Sequence, residues 1–274
     1  MKNNGRTIPW LACLVAAGVC SAAFAADTAV PGAETKPRVR ELRLMSYNVH
    51  HCAGADKRVD LPRVADVINR ERPDFVGLNE IDRCARRSHQ VDQPAELGRL
   101  TGLHATFAQA IPLQGGGYGN VVLSREKPLS VLRVPLPGRE PRVLLLCEFA
   151  DCWFGTSHFS LQETNRLQTV EIIRRVVSEK AAVKPVFVTG DWNCRPDSGS
   201  IASLRTYMSI LSNEKCRTFH GFRKHAPGSE CCIDYIAVDR GASARVKVKE
   251  AHVTPDELTS DHNPVVVTLE MQGP

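Results

Sequence analysis

Phe187-Val188-Thr189-Gly190-Asp191-Trp192-Asn193 is the stretch from which the rest of the chain can be read. An apolar run ends in a glycine turn that presents an acid and an amide two residues apart. Side chains alternate along a strand end, so Asp191 and Asn193 are expected to project the same way. A carboxylate beside a neutral amide positions water or phosphate oxygens without doubling the local negative charge. Alone, Gly-Asp-x-Asn is a weak signal, because Asp and Asn populate turns for backbone reasons.

Its weight comes from other strand ends. Asn48 follows Met45-Ser46-Tyr47, and Glu80 follows Val76-Gly77-Leu78-Asn79. His158 follows Phe154-Gly155-Thr156-Ser157, and Asp261-His262 precede Val265-Val266-Val267. Each has a bland reading as a turn former or cap. Together they are all carboxylate, amide or imidazole, which suits a hard divalent cation. Mg2+ prefers oxygen ligands and keeps several waters, so one or two carboxylates plus a phosphate suffice. Glu80 and Asp261 would supply the charge and Asn48 a neutral oxygen. The histidines can move protons near neutral pH.

The remaining pattern sets the fold class. Arg43–Tyr47, Phe75–Leu78, Asn120–Leu123, Val143–Cys147, Trp153–Ser157, Val186–Thr189, Ile233–Val238, Arg245–Glu250 and Val265–Glu270 read as short strands. Asp60 caps a helix with Pro62 in its first turn, and Pro94–Thr101 forms a second. Gln162–Lys180 is amphipathic, with Leu167, Val170, Ile173 and Val177 inward. Strand and helix do not alternate simply, which argues against a doubly wound parallel sheet. The expectation is an α/β four-layer sandwich: two mainly antiparallel sheets packed face to face, with helices outside.

The chain has 274 residues and opens Met-Lys-Asn-Asn-Gly-Arg, then runs apolar to Ala23-Phe24-Ala25. That reads as a signal peptide over residues 1–25, cleaved near Ala25, with export to the periplasm or medium. Residues 26–40 read as a disordered lead-in and 41–272 as one catalytic domain. Removing Lys2 and Arg6 lowers the net charge from +5 to +3, which permits an anionic substrate without demanding one. Eight cysteines remain, and an even count in an exported chain favours disulfides. A hairpin turning at Phe149-Ala150 would set Cys147 opposite Cys152. Cys194, directly after Asn193, would be placed to brace the catalytic loop through a disulfide.

In order along the chain stand Ser46-Tyr47-Asn48-Val49, Leu78-Asn79-Glu80, Gly117-Tyr118-Gly119-Asn120, Thr156-Ser157-His158, Gly190-Asp191-Trp192-Asn193, Ile233-Asp234-Tyr235 and Ser260-Asp261-His262-Asn263-Pro264. This ordered set resembles the endonuclease/exonuclease/phosphatase superfamily of metal-dependent phosphoesterases over about residues 41–271. The resemblance implies Mg2+ or Mn2+ held by Glu80, with Asn48 and Asp261 in support. Asn79 stands where the family usually has Gln. The resemblance also implies that Asp191 positions or activates water and that Asn193 holds a phosphate oxygen. His262 and Asp234 would form a His–Asp pair beside the scissile phosphate, with His158 as the second histidine.

Substrate contacts are expected from Tyr118, Arg166 and His51. The substrate is a phosphate ester, with nucleic acid one candidate, and no obligate protein partner is evident for what reads as a monomer. Nuclease or general phosphodiesterase activity ranks first, and action on a lipid or sugar phosphate second. The Pro-x-Trp-Cys-Asp-Arg signature of the inositol 5-phosphatases is replaced by Cys231-Cys232-Ile233-Asp234. A binding module would have lost the metal and histidine positions, whereas here they are intact.

Overall fold

The computed structural model describes residues 39–223 and 231–273. The expected signal peptide lies outside these residues, as does the lead-in up to residue 38. Residues 39 and 40 of that lead-in already belong to the first strand.

Two six-stranded sheets face each other. The first contains β1 (Val39–Asn48), β2 (Phe75–Arg83), β3 (His104–Leu113), β4 (Gly116–Ser124), β11 (Val246–Val253) and β12 (Val265–Gln272), in the order β11-β12-β1-β2-β4-β3. The second contains β5 (Ser130–Leu136), β6 (Arg142–Glu148), β7 (Trp153–Ser157), β8 (Val186–Asp191), β9 (Met208–Ile210) and β10 (Asp234–Asp239), in the order β5-β6-β7-β8-β10-β9. Only β1–β2 and β7–β8 are parallel pairs; the other ladders are antiparallel.

The period of two divides each strand between cores. In β1, Leu42 and Leu44 face the inter-sheet core with Phe154, Phe187, Ile236 and Val267. Met45 and Tyr47 face outward, onto α1 (Leu61–Glu71) and α2 (Gln93–Thr101). In the second sheet, Val186 and Val188 face α3 (Glu163–Ala181) and α4 (Gly199–Leu204). This is the expected four-layer sandwich. The Asp60 carboxylate caps α1 by accepting from the Arg63 N–H at 2.9 Å.

Several expectations need correction. Leu167 is 43% exposed, while Val170, Ile173 and Val177 are buried. At about 100° per residue Leu167 lies about 120° around the helix from Ile173, at the edge of the buried stripe rather than within it. Strands β3, β5 and β9 are additional, and all three lie at sheet edges, where one neighbour is missing and the apolar alternation is faint. The β6–β7 hairpin closes between Phe149 and Cys152, so Cys147 pairs with Phe154 rather than Cys152. All eight cysteines in the described residues are free thiols. Cys194 is among them, buried, with its carbonyl accepting from the Tyr235 hydroxyl at 2.7 Å.

Both parallel pairs run toward the same edge of the sandwich, where the sheets come close. A Cβ on Gly77 would lie 2.1 Å from Thr189 Oγ1 and 2.7 Å from Thr156 Cβ. Gly77→Ala is therefore expected to lose about 1–3 kcal/mol through overpacking. Urea unfolding that shows an unchanged midpoint would contradict so tight an apposition.

Candidate functional site

Glu80 reaches the site because β2 is irregular. The β2–β4 register shifts between Leu78 and Ile81, and Glu80 sits at φ 60°. Leu78 and Ile81 both face the α1/α2 core, so the bulge places Asn79 and Glu80 on the opposite side. A regular strand would turn Glu80 into the apolar outer layer. β2 therefore does not end at Glu80, as the sequence implied; it bends there.

Asn79 spans the two sheets. Its Oδ1 accepts the Asp191 N–H at 2.9 Å, and its Nδ2 donates to Asn120 Oδ1 at 2.9 Å and Thr156 Oγ1 at 3.2 Å. Gly190 lets β8 approach β7: at φ 139° its Cβ would lie 1.9 Å from the Ser157 carbonyl oxygen.

Asp191 is the point of convergence. It is 2% exposed. Asn48 Nδ2 donates to Asp191 Oδ2 at 3.0 Å and to Glu80 Oε1 at 3.1 Å. The Asn193 N–H donates to Asp191 Oδ1 at 2.9 Å. His158 Nε2 and His262 Nε2 lie 3.4 and 3.6 Å from Asp191 Oδ2. Desolvation raises the Asp191 pKa, against the opposing pull of His262.

The two histidines are pushed in opposite directions. Burial alone would depress His262, but Asp234 and Asp191 outweigh it and raise its pKa. Asp234 Oδ2 lies 2.9 Å from His262 Nδ1 and fixes the ring. His158 is depressed by burial and then by Arg142 and His262. Arg142 Nη1 stands 3.1 Å from His158 Nδ1. A guanidinium can only donate, so Nδ1 accepts and Nε2 carries the proton toward Asp191. Asn193 Nδ2 lies 2.9 Å from that Nε2 but is itself a donor, so the two do not bond each other, and it donates to the Phe159 carbonyl at 3.0 Å.

Two groupings present themselves for a cation. Asp191, Asp234 and His262 offer atoms within 4.8 Å of one another. The short Asp234–His262 contact makes this group a carboxylate–imidazolium–carboxylate chain, whose central ring has no lone pair to give. Glu80 and Asp261 suit a hard cation better: among the described residues neither carboxylate forms an ion pair, and Glu80 touches a neutral amide. Asn48 departs from the expected role, because its amide nitrogen faces Glu80 and its oxygen accepts the His50 N–H at 3.1 Å.

The expected substrate contacts fare unevenly. Tyr118 lines the site end of β4, with the Arg87 guanidinium over its ring at 5.4 Å and the Glu80 charge raising its hydroxyl pKa after burial itself. His51 is half-buried and depressed to about 4 by burial, then by Arg87 and His50. Arg166 is spent elsewhere: it binds Glu163 at 2.6 Å and donates to the Ser160 and Leu161 carbonyls, stapling the loop that follows His158. Sequence reasoning missed Arg142 and the structural role of Asn79. Arg142 carries no local motif, and Asn79 reads only as a neighbour of Glu80.

The family model described as "Endonuclease/Exonuclease/phosphatase family" matches residues 45–262. A search of curated proteins gives no match. Among solved structures, an endonuclease/exonuclease/phosphatase from Beutenbergia cavernae is similar at 26% identity and TM-score 0.71, covering 85% of this chain and 72% of that one. A mannosyl-6-phosphatase from Bacteroides thetaiotaomicron aligns at 19% identity and TM-score 0.66, covering 83% and 99%. TDP2 of D. rerio, complexed with a single-strand DNA product, aligns at 19% and 0.61, covering 84% and 98%. The last two likenesses concern the fold. With the match spanning most of the chain, and with the buried Asp–His–Asp chain facing Glu80, the protein belongs to the endonuclease/exonuclease/phosphatase family of phosphoester hydrolases, which are generally divalent-metal dependent.

Proposed function

We propose that this protein is an exported phosphodiesterase, dependent on Mg2+ or Mn2+, that acts as a monomer on nucleic acid or a related diester. The observation that carries the proposal is the convergence of Asn48, Asn193, His158 and His262 on one buried carboxylate, Asp191, across from Glu80.

Glu80 and Asp261 would hold the cation. When bound, it supplies Lewis-acid polarisation of a phosphoryl oxygen. Asp191, with its raised proton affinity, accepts the proton of the attacking water. Protonated His262, oriented by Asp234, donates to an oxygen on which charge develops. His158 and Asn193 donate to the phosphate without adding charge. The buried setting strengthens each of these contacts relative to water.

A second reading is hydrolysis of a sugar phosphate. It is favoured by the small charge excess of +5 over the whole sequence, since binding a long polyanion draws on many basic groups. The B. thetaiotaomicron neighbour, named as a mannosyl-6-phosphatase, supports it by analogy of fold.

Four outcomes are expected. Asp191→Ala and His262→Ala should each reduce hydrolysis of bis(4-nitrophenyl) phosphate by about 10²-fold or more while circular dichroism stays native; turnover near wild type in either would remove the assigned roles. Chelation with EDTA should abolish activity, and Mg2+ or Mn2+ should restore it. A panel of DNA, RNA, sphingomyelin, inositol phosphates and mannose 6-phosphate ranks the substrates, and exclusive turnover of the sugar phosphate would overturn the diester assignment. N-terminal sequencing of protein recovered outside the cytoplasm should begin near Ala26; a chain still starting at Met1 would contradict export by cleavage.

A further inference from the structure

A cavity of about 460 Å3 opens directly behind His158, lined by Arg139, Glu140, Arg142, Ser160, Leu161 and Gln162. None of these residues takes part in the Asp191 convergence, yet Arg142 joins the two spaces. Its Nη1 contacts His158 Nδ1 at 3.1 Å on one side and Glu140 at 2.8 Å on the other. The residue is 9% exposed, and its Nε donor is buried without a hydrogen-bond partner among the described residues. A buried guanidinium donor without an acceptor costs free energy unless a ligand supplies one.

The opposite wall points to the same ligand chemistry. Gln162 is the N-cap of α3, a helix of 19 residues, and its side chain does not cap the helix. The first-turn N–H groups and the positive end of the helix dipole therefore remain available to an anion. Ser160 Oγ accepts from the Gln162 N–H at 3.3 Å and from Asn165 at 3.4 Å, which leaves its own proton to donate. Arg139 is exposed at the mouth and has no ion pair among the described residues. Two guanidinium groups against one carboxylate leave a single net positive charge on the wall. Leu161, 74% exposed, adds an apolar edge.

We propose that this cavity is an anion subsite for a second phosphate group of the substrate, next to the phosphate that is cut. The net charge of the wall matches one phosphodiester group. In a nucleic-acid strand that group is the phosphate flanking the scissile one; in a small molecule it is the other phosphate of a bisphosphate. The subsite rests on the phosphodiesterase assignment for its substrate but not for its measurement, which is binding.

The test uses the full chain with Mg2+ and calorimetric titration of the uncleavable methylphosphonate analogue of dithymidine monophosphate. The analogue is prepared without a terminal phosphate, with a 5′-phosphate and with a 3′-phosphate. One phosphorylated form should bind about tenfold more tightly than the bare analogue, and Arg139→Glu should erase that advantage while leaving the affinity for the bare analogue unchanged. Competition by glucose 1,6-bisphosphate against glucose 6-phosphate forms a parallel arm, and an Arg139-dependent advantage there supports the subsite with a small-molecule source. Equal affinity of all forms in the wild type, or an advantage that survives Arg139→Glu in both arms, overturns it. Hydrolysis of bis(4-nitrophenyl) phosphate, which has one phosphate, reports separately: its absence in wild type would count against the phosphodiesterase assignment and leave the binding result standing.

Discussion

A carboxylate buried as deeply as Asp191 has to be compensated from within the protein, and most of the site follows from that constraint. Desolvating an unpaired carboxylate costs several kcal/mol, in rough terms. Here the compensation is spread over an amide on β1, a backbone N–H in the following turn, and two imidazoles from different loops. These partners come from both sheets, so the charge is satisfied only when the sheets are correctly opposed. The Asn79 amide adds a direct cross-sheet tie, because it accepts from the backbone of Asp191 itself. Electrostatic need and sheet packing thus specify the same geometry.

The arrangement also divides labour between the sheets. The first sheet, through the bulged Glu80 and through Asp261 just ahead of β12, provides the carboxylate side suited to a cation. The second, through His158, Asp191 and Asp234, provides a buried cluster of titratable groups. His262 enters from the segment before β12 and links the two by contacting Asp191 and Asp234 at once. The imidazoles differ in charge because their outer partners differ: a carboxylate for His262 and a guanidinium for His158. Two residues of one type are thereby driven in opposite directions of proton affinity.

Much of this was legible in the sequence, for identifiable reasons. The central strands are apolar on both faces, so β1, β2, β7, β8 and β12 announce themselves, and their polar ends stand out by contrast. The edge strands β3 and β5 do not, since half their surface is solvated. The bulge at Asn79–Glu80 leaves no periodic trace, although without it Glu80 would point away from the site. Arg166 was overvalued because spacing placed it near His158 while its acceptors, Glu163 and two loop carbonyls, lie within six residues. Arg142 was overlooked because its partner is remote in sequence and becomes a neighbour only when β6 pairs with β7. The expected Cys147–Cys152 bridge failed on a shift of the hairpin turn by one position.

The pairing of β1 with β12 carries a consequence for how the protein is made. Residues 39–48 form a ladder with residues 265–272, and Asp261 and His262 stand just ahead of that closing strand. Strand β1 is synthesised long before its partner β12, a long-range closure that is slow by nature. Until it arrives, neither the bridging imidazole nor the second acidic group is in place. A chain that has not yet added β12 therefore lacks the full set of groups gathered around Asp191, however completely its earlier strands have paired.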